Sequence, residues 1–185
     1  MVQVGERDRV LVNSTSDWID GQEMRWAKFT VRHPRLTKRE YWNEPLKVMF
    51  LVLKNTYPKT TVKTHRSEAK LPNLQYITFL GGDRESGVAL HAQGLVEVFD
   101  DDIDLTRLNR RIGEAWKSAA REQLKHQPQR IGTSFDDDDE STFYVEVFDG
   151  GVGDYLGYLA RNEGSYLGFG LEKQVVDATM LRHRE

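Results

Sequence analysis

The apolar residues of this chain change period in the order β-α-β-β-α-β-α, and few folds accept that order. Residues 25–33 alternate, with Ala27, Phe29 and Val31 on one face, until Pro34 stops the strand. Pro45 suits a first helical position after Asn43-Glu44, so 46–55 reads as a helix ended by Tyr57-Pro58. Strands are expected over 74–80 and 88–99, joined by the turn-forming run Gly81-Gly-Asp-Arg-Glu-Ser-Gly87. Thr106 is placed to cap a helix reaching about Lys125, with Leu108, Ile112, Ala115, Trp116, Ala119 and Leu124 at helical spacing. Residues 142–148 alternate again, and Asp154 is placed to cap a short helix through Glu163, with Gly164 in the stop position. The order predicts an α+β fold: a ferredoxin-like split βαβ antiparallel sheet with flanking helices and one additional, tyrosine-bearing helix. The domain is expected over 25–175, between an N-terminal arm over 1–24 and a C-terminal tail over 176–185.

Composition narrows the function classes. A chain of 185 residues with 10% aromatics can bury a single core. Cysteine is absent, which excludes disulfide scaffolds, thiolate metal sites and Cys nucleophiles and suits a reducing, intracellular setting. The longest apolar run, 48–53, sits between two lysines and is too short to span a membrane, and the N-terminus has no secretory pattern. The net charge of −3 hides strong segregation. From Arg25 to Lys70 there are twelve Lys and Arg against three Glu, and from Arg107 to Arg130 seven against two. From Ile131 to Asp154 there are eight acids and no base, including Asp136 to Glu140. Each block alone reads as a solvated segment; two basic blocks in one small domain point to a polyanionic partner.

Two constellations carry chemistry. On the strand over 88–99, Leu90, Ala92, Val96 and Val98 fall on one face, and His91 and Gln93 project together from the other. An imidazole nitrogen and an amide oxygen side by side suit Mn²⁺ or Mg²⁺ better than zinc, although such a pair is also what any polar sheet face offers. Tyr155, Tyr158 and Arg161 follow one another at three-residue spacing on the last helix. A tyrosine hydroxylate can attack a phosphodiester and hold the cut strand covalently beside a cation; the plainer reading is two tyrosines packed on the sheet with their hydroxyls in solvent.

Together, in this order and on these elements, the motifs resemble the HUH endonuclease domain, the nicking domain of the rolling-circle replication initiators (Rep proteins) of circular single-stranded DNA viruses such as circoviruses and geminiviruses. Phe29-Thr-Val-Arg-His-Pro34 is similar to the family's opening Phe-Thr-x-x-x-Pro. His91-Ala-Gln93-Gly94 is similar to the form of its metal motif in which the second His has become Gln. Tyr158-Leu-Ala-Arg161-Asn-Glu-Gly164 is similar to its Tyr-x-x-Lys motif with the trailing acidic-Gly. The resemblance spans about 25–165. It implies a metal-dependent endonuclease and strand transferase that nicks and joins single-stranded DNA, at an origin hairpin or nick site, through a 5′-phosphotyrosine intermediate. Tyr158 would be the nucleophile, with Tyr155 one helical turn away as the alternative. His91 and Gln93 would hold the divalent metal, Asp83 and Glu85 are the candidates for its third ligand, and Arg161 would occupy the place of the family lysine. Arg keeps that lysine's charge but cannot donate a proton as Lys could.

The basic residues of 25–70, among them Arg25, Lys28, Arg32, Lys63 and Arg66, are expected to line a groove for the DNA. No Gly-x-x-x-x-Gly-Lys-Ser/Thr phosphate loop occurs, so the helicase domain of the viral Rep proteins is missing and the chain is either an excised domain or a smaller initiator, with a helicase and the replication machinery as expected partners. The setting implied is wherever that DNA is replicated: the host nucleus for a eukaryotic virus, the cytoplasm for a prokaryotic one. From other classes, a non-catalytic ferredoxin-like module binding origin DNA or RNA, or a regulator whose acidic segment mimics DNA in its own basic groove, would need neither His91 nor a tyrosine.

Overall fold

In the computed structural model the described residues are 25–57, 74–83, 88–99, 102, 104–125, 142–162 and 166–169, with 13, 16, 17 and 19. The elements run β1 (Arg25–Arg32), a 3₁₀ turn (Arg39–Tyr41), α1 (Asn43–Thr56), β2 (Tyr76–Asp83), β3 (Val88–Val98), α2 (Thr106–Lys125), β4 (Thr142–Phe148), α3 (Val152–Asn162) and β5 (Tyr166–Phe169). The sheet order is β4-β1-β3-β2-β5, with every neighbouring pair antiparallel. The first four positions are the ferredoxin-like order, so the chain is α+β with that topology. β5 adds a fifth strand at the β2 edge that the apolar pattern did not announce.

The register assigns side chains to two faces. Ala27, Phe29 and Val31 of β1 with Ala92, Val96 and Val98 of β3 meet α1 and α2, which supply Leu46, Met49, Phe50 and Leu53 and then Leu108, Ile112, Ala115, Trp116 and Ala119. Those spacings are the apolar stripes of two amphipathic helices. Pro45 lies inside the first turn of α1, where a missing N–H costs nothing. Trp42 stacks on Trp116 with ring centroids 5.3 Å apart, and the two indoles donate to Leu36 O and Arg32 O. The far face is covered by α3 through Val152, Leu156 and Leu159, packed on Trp26, Ile77, Phe79 and Leu95. Ile19, from the stretch read as an arm, is buried in that second core. The expected tail over 176–185 lies outside the described residues.

Several boundaries differ from expectation: α3 begins at Val152, so Asp154, expected as its cap, is already helical. β2 continues through Asp83 instead of ending at the paired glycines, because Gly82 adopts a φ of 80° and lets the ladder slip without breaking. The cap of α2 is Asp102, not Thr106. The Asp102 carboxylate accepts the backbone N–H groups of Arg107 at 3.0 Å and Leu108 at 2.8 Å, while Thr106 is already helical. Asp102 also accepts the Tyr57 hydroxyl at 3.0 Å, and that oxygen in turn receives the Phe99 N–H. Burial, aided by the neighbouring carboxylate, pushes the Tyr57 phenol well above its ordinary range. One side chain thus ties the ends of α1, β3 and α2 together, although it stands among the four acids of 100–104. Asp102→Ala should lower stability by about 2–3 kcal/mol in denaturant titrations, because it orphans two helix N–H groups and a buried hydroxyl. Tyr57→Phe, which removes the hydroxyl but leaves both helix N–H groups capped by Asp102, should cost less.

Candidate active site

The site starts from β3. Because Ala92, Val96 and Val98 enter the main core, His91 and Gln93 project from the face on which α3 is packed. On that face Arg32 stands opposite His91 and Thr30 opposite Gln93 across β1; Gly81 and Phe79 are their partners across β2. His91 is only 6% exposed, and its Nδ1 lies 3.0 Å from Ala89 O. A carbonyl can only accept, so in this contact Nδ1 carries a proton and donates it. Metal-bound imidazoles are held in this way. The amide of Gln93 follows roughly 7 Å along the same strand face. These two donors fit a hard or borderline divalent ion such as Mn²⁺ or Mg²⁺.

Just before His91 the ladder slips. Gly81 pairs with His91 and Asp83 with Val88, so Ala89 and Leu90 oppose Gly82 alone in a β-bulge. The backbone of Asp83 ends β2 at this point; its side chain, and all of Glu85, lie outside the described residues. Among the described residues no three His, Cys, Asp or Glu side chains come together as a metal cluster.

The helix α3 separates the two tyrosines. Tyr155 leans inward, its ring 5.3 Å from that of Phe148, with Lys28 Nζ 5.5 Å from both centroids. Tyr158 lies on the outer side of α3 and is 50% exposed. Arg161 belongs to the last turn of α3, and its side chain is outside the described residues.

Comparison with family models, curated proteins and solved structures finds no match.

The basic residues expected in one groove divide. Lys28 is engaged with Glu146 at 3.1 Å as well as with the two rings. Arg25 is opposite Val98, a main-core residue, and so projects from the face away from His91. Lys63 and Arg66 lie outside the described residues. Arg32 is exposed beside His91, and among the described residues its guanidinium has no ion-pair partner. Sequence reading missed the network beside it on β4, where the Tyr144 hydroxyl donates to Glu146 at 3.0 Å. Hydrogen bonds from Lys28 and Tyr144 hold the Glu146 carboxyl below the usual carboxylate range. Glu146 therefore stabilises the fold above the ordinary carboxylate pKa, and that contribution fades as pH falls through its lowered one. Both partners are partly exposed, so wild type should exceed Glu146→Gln by less than about 1 kcal/mol at neutral pH, and the two melting curves should converge in acid.

Proposed function

We propose that this domain nicks and rejoins single-stranded DNA through a covalent 5′-phosphotyrosine intermediate, the reaction that starts rolling-circle replication. The observation that carries the reading is a shared face: β3 turns His91 and Gln93 to the side of the sheet that α3 covers, and α3 leaves Tyr158 half exposed. In this reading the Tyr158 oxygen attacks the scissile phosphorus, the P–O3′ bond breaks, and the released 3′ oxygen takes up a proton and serves as primer. His91 and Gln93 would hold the divalent ion, which when bound polarises the phosphate. Arg32, paired with His91 across β1 and β3 on the same face, supplies a cation for an incoming phosphate. Tyr155 supports the helix from beneath, held by Phe148 and Lys28. The partners are then single-stranded DNA at an origin or nick site, with a helicase and the replication machinery acting alongside.

The test is incubation of the protein with a pool of single-stranded DNA and Mn²⁺, followed by denaturing gels. A band of protein covalently joined to DNA is expected, lost on chelation and reduced on the order of 100-fold in His91→Ala, since an inner ligand is removed. Failure of the wild type to form any adduct across the pool, with either Mn²⁺ or Mg²⁺, would instead support a non-catalytic nucleic-acid module.

A further inference from the structure

Arg39 belongs to the basic run expected to meet DNA, yet its guanidinium is turned onto the main chain of β2. Its Nη2 donates to Gly82 O at 2.8 Å and its Nη1 to Leu80 O at 3.4 Å. Both carbonyls flank the point where β2 and β3 lose register. Gly82, at a φ of 80°, runs so close over the bulged strand that an added Cβ would strike the Ala89 carbonyl. That same carbonyl meets His91 Nδ1 at 3.0 Å. Three contacts therefore stand in series: guanidinium to Gly82 carbonyl, Gly82 backbone against Ala89 carbonyl, Ala89 carbonyl to the imidazole.

Bulges next to active sites commonly re-aim a side chain, and this one ends at Leu90, immediately before the metal-motif histidine. We infer that Arg39 is a positioning residue for His91. By clamping the bulge it holds the Ala89 carbonyl where that oxygen fixes the ring's tautomer and direction. The planar fork of an arginine spans two carbonyls at once, which the point charge of a lysine cannot do. The consequence for metal binding rests on the nickase reading; the orientation of the ring does not.

The test uses the full chain labelled with ¹⁵N-histidine, as wild type, Arg39→Lys and Gly82→Ala, with the His91 signals assigned from His91→Ala. Wild type should show the Nδ1-protonated tautomer at His91. Arg39→Lys keeps the charge but should shift His91 toward tautomer exchange and require about tenfold more Mn²⁺ to broaden its signals, the lower end of what loss of a ligand's support costs. The other four histidines and the melting temperature should stay in place. Gly82→Ala should reproduce the local change from the other end of the series. Wild-type tautomer and Mn²⁺ dependence in Arg39→Lys would overturn the inference, and so would a shift of all the histidines together with a fall in melting temperature, since the effect would then be global. A tautomer response confined to His91, in a protein whose His91 signals Mn²⁺ never broadens, would uphold the positioning role and overturn the metal site.

Discussion

Tyr158→Phe should fold, melt and bind single-stranded DNA like the wild type while forming no covalent adduct, a loss of 10⁴-fold or more on the order expected for removing a nucleophile. Phenylalanine keeps the ring and removes only the hydroxyl, and Tyr158 is already half in solvent, so little packing is at stake. Tyr155→Phe is the control. Its ring packs against Phe148 under Lys28, contacts that phenylalanine preserves, and most activity should remain. The gel that detects the adduct reads both variants. An adduct that survives Tyr158→Phe but vanishes with Tyr155→Phe would move the nucleophile by one helical turn.

Gly94→Ala should have the largest effect on folding. Gly94 occupies the middle of β3, between Phe29 of β1 and Thr78 of β2. A Cβ there would fall within the Ile77 carbonyl, so the two central strands would have to part. Overpacking at a site with so little room to yield should cost about 3 kcal/mol or more, much of a small domain's stability. Urea titration, or the fraction of soluble folded protein, gives the answer. Gln93→Ala, one residue earlier, is the comparison: it removes a side chain from the far face and should change stability far less. A Gly94→Ala protein as stable as wild type would show that the strands separate at this point more readily than their register implies. The glycine that closes the His-x-Gln-Gly motif thus has a backbone reason to be there, apart from any chemistry.

The sheet and its helices were legible because their periods are clean. Ala27, Phe29 and Val31 alternate, and Leu108, Ile112, Ala115, Trp116 and Ala119 repeat at helical spacing, so the inward face of each could be read directly. The same parity placed His91 and Gln93 on the face opposite Ala92 and Val96. What escaped depends on long-range pairing. β5 is short, and nothing in Tyr166–Phe169 marks it as the partner of β2. The bulge at Gly82 exists only between two strands, so the run of glycines reads as a turn when seen alone. Asp102 hides in an acidic block because its partners, Tyr57 and the start of α2, come from other parts of the chain. Arg25, Lys28 and Arg39 read alike as cations, and only the fold shows one on the other face, one paired with a carboxylate and one spent on carbonyls.

The sheet is fastened unequally on its two sides. Two long helices grip one face with aromatic and aliphatic side chains, whereas among the described residues α3 meets the other through Val152, Tyr155, Leu156 and Leu159. Pulling α3 away would expose the smaller core and leave the larger one closed, so the helix can detach at a fraction of the cost of unfolding the domain. A DNA end joined to Tyr158 would pull on this element. Under load the attachment would give way as a mechanical fuse does, the helix lifting first while the strand that carries His91, paired on both edges, stays in place.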